Sequence, residues 1–149
     1  MLKKLGILII PITLCIACSN DDTEEILIDT SMPQGSFTTA KNGIFVEQND
    51  TGSTGTAQLG TDENGIQFLH FAADFSTNLA TGTVTVYLST SSEYKADPSS
   101  GNPDLRLIGP VSSTGENYFM LDPAAASKFT HVILWCGSAN IPFGYAELN

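Results

Sequence analysis

The chain has 149 residues, of which 16 are Asp or Glu and six are Lys or Arg, so its formal net charge is −10. All of the acidic residues follow Cys18, whereas two of the lysines precede it. The part of the chain beyond Cys18 is therefore even more negative. Such a charge opposes binding to nucleic acid and to anionic lipid headgroups, because both are negatively charged. We predict no nucleic-acid partner.

The first 18 residues have the layout of a lipoprotein leader. Two lysines precede a mostly apolar run at 5–16, which is too short to span a bilayer permanently. The run ends in Leu14-Cys-Ile-Ala-Cys18, which resembles a lipobox, the motif in which a small residue precedes a cysteine that receives diacylglycerol. We predict a signal peptide at 1–17 and a membrane anchor of several acyl chains on Cys18. An ordinary signal peptide with incidental cysteines is the alternative.

Residues 18–34 are predicted to form a tether between the lipidated cysteine and a folded domain. The run Asp21-Asp-Thr-Glu-Glu25 is acidic and lacks aromatic residues, which favours solvated chain over packed structure. An acidic run directly after the cysteine also resembles the surface-export signal of lipoproteins in the Bacteroidetes. The resemblance implies an outer-membrane lipoprotein whose domain faces outward. A plain spacer and a domain that faces the periplasm are the alternatives.

Beyond residue 34 the sequence indicates short strands separated by Gly, Ser, Thr, Asn and Asp. In chain order, the predicted strands cover 36–39, 43–47, 54–59, 67–72, 83–88, 105–108, 118–121, 131–136 and 141–148. The first two are predicted as edge strands, Asn64-Gly65 as a turn and 89–103 as a long loop. Only 123–128, with three consecutive alanines, predicts a helix, of one or two turns. About seven to nine strands without intervening helices predict one antiparallel β-sandwich domain at 35–149.

The predicted strand at 131–136 sets the surroundings of a cysteine. In strand register, Cys136 shares a face with Val132 and Leu134, whereas Trp135 lies on the other face. His131 also points to the face opposite Cys136, so a Cys–His dyad between these two residues is not expected. No Lys, Arg or His flanks Cys136 closely, so the sequence predicts nothing local that would lower its pKa.

The fate of this thiol is the main chemical question in the sequence. With Cys18 lipidated, Cys136 is the only cysteine left in the domain and cannot form a disulfide within it. Free cysteine is among the most buried residue types, which favours an inert core residue. A thiol retained for reaction is the alternative interpretation.

Other candidate sites are weak. His70 and His131 each lie in or beside an apolar strand, where a hydrogen-bonded core or edge histidine is the ordinary interpretation. Asp62-Glu-Asn64 offers oxygen atoms to calcium but lacks the EF-hand spacing and is typical of a turn. No cluster of Cys or His with metal-ligand spacing occurs, and no nucleophile–base pair or phosphate-binding loop can be identified. We predict no metal, no cofactor and no conventional enzyme activity.

Five segments in the second half of the chain occur in an order that resembles the DM13 domain. They are Asp74-Phe75, Val86-Tyr-Leu88, Leu107-Ile-Gly109 followed by Gly115 and Tyr118, Val132-Ile-Leu-Trp-Cys136, and Phe143-Gly-Tyr-Ala-Glu-Leu148. A hydrophobic strand that ends in Trp-Cys, followed by a Phe-Gly-x-Ala-x-Leu strand, is the closing pattern of that family. With Gly35-Ser-Phe37 as the start, the resemblance covers 35–148. One departure is Thr81-Gly-Thr83, where many members carry a Gly-Pro-Asp-like segment.

The resemblance implies an extracytoplasmic β-sandwich that takes part in electron transfer or redox modification at the cell surface. It makes Cys136 the candidate redox thiol, with an envelope redox protein or surface protein as its partner. The alternative function is a non-enzymatic binding module for glycans or proteins, since 89–103 is a long loop and loops of sandwich domains often bind ligands. A structural component of an envelope complex is a third interpretation.

Overall fold

The computed structural model describes residues 31–95 and 101–149, which form eight antiparallel β-strands and no helix. The strands are β1 (Thr38–Glu47), β2 (Thr56–Thr61), β3 (Gln67–Phe71), β4 (Val84–Ser89), β5 (Leu105–Pro110), β6 (Asn117–Met120), β7 (His131–Cys136) and β8 (Ile141–Glu147). No helix in this part of the chain is long and apolar enough to cross a membrane. The predicted leader at 1–17, the lipidation at Cys18 and the acidic run at 21–25 lie outside the described residues, and the domain boundaries remain a prediction.

The eight strands form one sheet in the order β5-β4-β7-β8-β1-β2-β3-β6, which folds back on itself. The long strand β1 belongs to both parts of the folded sheet. It pairs with β2 from Thr38 to Ile44 and with β8 from Phe45 to Glu47. We call the first part of β1 (38–44), β2, β3 and β6 the β2 half. The last part of β1 (45–47), β8, β7, β4 and β5 form the β7 half. The prediction of an antiparallel sandwich is confirmed.

The core lies between the two halves and contains side chains from both. Leu69 and Phe71 of the β2 half pack in one buried cluster with Val86 and Val132 of the β7 half. The Phe45 ring, on β1, meets the Phe71 ring edge-on with 5.0 Å between centroids. Fully burying one such side chain stabilises the fold by about 1.5–3 kcal/mol. This packing fixes the position of β7, the strand that carries Cys136.

Two expectations from the sequence are wrong. The predicted edge strands at 36–39 and 43–47 are one continuous strand, β1, which lies between β2 and β8 and accommodates a bulge between Thr39 and Lys41. The predicted helix at 123–128 is an irregular connection between β6 and β7. Three alanines cannot repay the cost of helix nucleation over so short a segment. The Ala125 N–H donates instead to the Gln67 side-chain oxygen at 2.6 Å.

Candidate functional site

Cys136 is the last residue of β7 and points into the core. Its neighbours across the sheet are Val84 on β4 and Ile141 on β8. Cys136, Val132 and Leu134 each have 0% exposed surface, so the predicted register of β7 is confirmed. The thiol carries no disulfide.

The thiol lies directly beneath two exposed chain segments. One is the turn at 137–140 that links β7 to β8, and the other is the approach to β4 at 81–83. The Ser138 hydroxyl lies 3.3 Å from the Cys136 Sγ, where either group can be the donor, and 3.4 Å from the Thr81 carbonyl oxygen, so its single hydrogen can point to the carbonyl beside the neutral thiol or to the sulfur of the thiolate. This hydroxyl therefore connects the thiol to both segments. We call Cys136, Ser138, Thr81 and Gly82 the thiol site.

Gly82 leaves room for this arrangement. A Cβ atom on Gly82 would lie 2.1 Å from the Ser138 Oγ and 3.6 Å from the Cys136 Sγ, and its φ of +135° is one that side-chain-bearing residues rarely adopt. Any other residue would therefore have to displace the Ser138 hydroxyl. Thr81-Gly-Thr83, the segment that departs from the pattern described above, is thus the segment that covers the thiol.

Hydrogen bonding lowers the pKa of the Cys136 thiol. The largest cause is the Ser138 hydroxyl, burial opposes it, and the backbone N–H groups of Ala139 and Ser138 and the Thr81 hydroxyl lower the pKa further. These groups stabilise the thiolate because each can direct a hydrogen towards a negative sulfur. The expectation that nothing local would lower this pKa was wrong, because hydroxyl and backbone N–H groups lower it without any cationic side chain.

His131 takes no part in the thiol site. It is half-buried on the opposite face of β7, where its Nδ1 lies 2.9 Å from the Thr130 hydroxyl and its ring lies 6.3 Å from that of Tyr145. The expectation that Cys136 and His131 form no dyad is therefore confirmed. Among the described residues, the thiol site holds hydrogen-bond donors and no base beside the thiol.

Behind Cys136, three aromatic rings pack together on the outer face of the β7 half. Tyr94, in the loop after β4, stacks on Trp135 with 4.0 Å between centroids and 15° between planes. Tyr87, on β4, meets Tyr94 edge-on at 5.2 Å. Burial, and then a hydrogen bond to Tyr94, raise the pKa of Tyr87 to about 12. The predicted loop at 89–103, as far as it is described, thus packs against the sheet. The sequence gives no signal that Tyr94 and Trp135 meet.

His70 is buried on the outer face of the β2 half. Its Nδ1 lies 2.8 Å from the Gln58 Oε1, its ring stacks on Tyr118 at 4.2 Å, and Phe37 meets both rings edge-on. Within the described parts of the chain, its Nε2 has no hydrogen-bond partner; it lies 3.5 Å from a Glu116 carboxylate oxygen. Burial lowers the pKa of His70, and Glu116 only partly opposes this effect. His70 is thus buried and hydrogen-bonded as predicted, but on the outer face of the sheet and, among the described residues, through only one of its two ring nitrogens.

The corner at Asp62-Glu-Asn64 is a turn in which backbone N–H groups occupy the Asp62 carboxylate. The Asp62 carboxylate accepts from Asn64 and Ile66 at 2.9 Å and from Gln34 at 3.1 Å. Burial raises the pKa of Asp62, but backbone hydrogen bonds outweigh burial and lower it. The end of the predicted tether, at Gln34, is therefore attached to the domain. Within 31–95 and 101–149, no three His, Cys, Asp or Glu side chains form a metal-binding group.

The model of the family described as Electron transfer DM13 matches residues 44–148, which is more than half of the chain. The chain belongs to the DM13 family. The match contains β2 to β8, the end of β1 and all four residues of the thiol site. It confirms the resemblance seen in the sequence. Comparisons with curated proteins and with solved structures found no match.

In this DM13 domain the candidate redox residue is therefore placed at the end of a central strand. The thiol is shielded on the inside by the core and on the outside by Gly82 and Ser138. Sequence reasoning identified Cys136 but missed Ser138 and Thr81. The serine lies only two residues beyond the cysteine, so a search for hydroxyl groups next to the strand end would have found it.

Proposed function

We propose that this DM13 domain takes part in electron transfer or redox modification at the cell surface and that Cys136 is its redox-active group. The observation that carries the proposal is the position of the Ser138 hydroxyl, 3.3 Å from the Cys136 Sγ, where it and nearby backbone N–H groups lower the pKa of the thiol. The thiolate is the nucleophilic form of cysteine, so a lowered pKa increases the reactive fraction at neutral pH. The family match, whose description names electron transfer, supports the same conclusion.

The proposed reaction uses one thiol and a small peroxide. The Cys136 thiolate attacks a peroxide oxygen, the O–O bond breaks, and the departing oxygen takes up a proton to leave as water or an alcohol. The product is a sulfenic acid, and this oxidation can be reversed. Two equivalents of a thiol reductant return it to the thiol and yield one disulfide and water. A small oxidant fits the site because Cys136 has no exposed surface of its own. In the envelope, a redox protein or surface protein would supply the reducing thiols.

Alkylation of the native full chain across pH tests this proposal. We expect a small alkylating reagent to label Cys136 in the folded protein, with a rate that reaches half its maximum below the ordinary cysteine pKa of 9.0. Mass spectrometry of peptides would assign the label, and Cys136→Ser provides the background. Labelling that occurs only after denaturation would show that Cys136 is an inert core residue.

We also propose that the domain is attached to the outer membrane through lipid on Cys18 and faces outward. The lipobox-like Leu14-Cys-Ile-Ala-Cys18 and the acidic run after it support this proposal. The intact mass of the mature protein should include acyl chains on an N-terminal cysteine, and Cys18→Ala should abolish them. Protease treatment of whole cells should remove the domain. Protection of the domain in intact cells would indicate that it faces the periplasm.

A further inference from the structure

Beside Trp135, on the face of β7 opposite the thiol, lies a pocket of about 300 Å³. Trp135 and Tyr94 form its aromatic wall, and Pro142 extends that wall along β8. The stack at 4.0 Å holds the two rings against each other, so neither ring has to become ordered when a ligand enters. Rigid aromatic side chains provide contact area at a small cost in conformational entropy. The wall therefore suits a ligand that has an apolar face.

The rest of the pocket is polar but nearly balanced in charge. Lys95 and Glu93 form an exposed ion pair at 3.4 Å, so the rim offers both donors and acceptors without net charge. Gln48 directly follows β1, and its Oε1 is buried without a hydrogen-bond partner among the described residues. Gln48 also lines the pocket, and the terminal torsion of glutamine is broad, so its amide can adjust to a bound ligand. A ligand hydroxyl would then supply the missing donor.

The surroundings narrow the class of ligand. The chain has a net charge of −10, which opposes an anionic ligand. The three strands that border the pocket, β1, β7 and β8, are all internal to the sheet, so no free strand edge is available for an extended peptide. The pocket has an aromatic wall on one side and, on the other, a polar rim without net charge. These two surfaces fit a ring that has one apolar face and hydroxyl groups around its edge. We propose that this pocket binds a neutral saccharide.

This site is independent of the thiol site. Trp135 and Cys136 are consecutive residues of β7, and their side chains lie on opposite faces of the sheet. Saccharide binding should therefore survive Cys136→Ser, and thiol reactivity should survive loss of Tyr94. A variant that loses one of the two functions should keep the other. The two proposals can therefore be tested, and refuted, separately on the same protein.

The test is a titration of the full chain that follows Trp135, which is the only tryptophan in the sequence. The protein is kept in a zwitterionic detergent without sugar headgroups, and cellohexaose, xylohexaose and maltohexaose are the probes. We expect at least one neutral oligosaccharide to change the Trp135 fluorescence in a saturable way. It should also shift the single indole N–H signal in the NMR spectrum of the unmodified protein, a measurement that needs no variant.

Three variants locate the binding. Tyr94→Leu and Gln48→Ala should each weaken binding by about tenfold, the usual loss when an interface aromatic or a buried hydrogen bond is removed. Tyr145→Leu is the matched control, because Tyr145 is a half-buried aromatic residue on β8 that does not line the pocket. The proposal is overturned if no neutral oligosaccharide gives a saturable signal. It is equally overturned if oligogalacturonate or a peptide library binds in their place, or if Tyr145→Leu weakens binding as much as Tyr94→Leu.

Discussion

Gly82→Ala tests the geometry of the thiol site. The new Cβ would lie 2.1 Å from the Ser138 Oγ, a distance that the structure cannot retain, and the φ of +135° would be strained for alanine. The Ser138 hydroxyl must therefore move away from the Cys136 Sγ. We expect a loss of stability together with a rise in the pKa of Cys136, because the largest cause of its lowering is removed.

The size of the stability loss follows from two contributions. Alanine in a sparsely populated backbone region costs about 1–3 kcal/mol. Disruption of the Ser138 hydrogen bonds adds about 0.5–1.5 kcal/mol. We therefore expect the free energy of unfolding to fall by about 1.5–4.5 kcal/mol. Gly65→Ala is the matched control: its φ is +77°, but no atom lies within 4 Å of its Cβ position. It should cost only about 1–2 kcal/mol, the backbone contribution alone.

Two assays read the two effects of Gly82→Ala separately. Urea denaturation followed by Trp135 fluorescence gives the free energy of unfolding. The pH at which alkylation of Cys136 reaches half its maximal rate reports the pKa of the thiol, whatever the accessibility of the sulfur. This midpoint should move upward in Gly82→Ala and stay unchanged in Gly65→Ala. Equal stability losses for the two variants, with no movement of the midpoint, would refute the placement of Gly82 over the thiol.

Three further predictions follow from the same contacts. Ser138→Ala should raise the pKa of Cys136, whereas Ser138→Thr, which keeps the hydroxyl, should change it little; the alkylation midpoint distinguishes the two variants. Because burial lowers the pKa of His70 below its ordinary value of 6.5, the unfolded chain takes up the proton more readily, and stability should fall as the pH falls below that value. Urea midpoints at about pH 7.5 and about pH 5.5 should show this loss, and His70→Gln should reduce it. Leu134→Ala, in the fully buried core, should cost about 2–5 kcal/mol in urea denaturation, and a loss well below this range would mean that the core around Cys136 is loosely packed.

The strands that alternate or are uniformly apolar could be predicted from the sequence. Val84, Val86 and Leu88 are buried on one side of β4 as their spacing indicates, and the two-sided burial expected for the strand at 67–72 is found in β3. These predictions succeed because both patterns, alternation and a uniformly apolar run, are set by residues adjacent in the sequence. The continuity of β1 could not be predicted, because it depends on pairing both with β2, the next strand, and with β8, the last strand.

The thiol site was only half predictable. The register of Cys136 follows from the alternation of β7, and the family pattern marks the residue. The approach of Thr81 and Gly82 depends on the pairing of β4 with β7, which a single sequence does not reveal. The same holds for the stack of Tyr94 on Trp135. Both proposed sites depend on contacts between residues far apart in the chain, and such contacts cannot be predicted from a single sequence.

The most direct test of the central claim is to capture the oxidised form of Cys136 in the folded protein. The native full chain is exposed to limiting hydrogen peroxide in the presence of a dione reagent that traps sulfenic acids, and peptides are analysed by mass spectrometry. We expect a trapped sulfenic acid on Cys136, its loss when a thiol reductant is added first, and a lower yield in Ser138→Ala. A Cys136 that stays reduced in the folded chain and is trapped only after denaturation would contradict the proposed redox role.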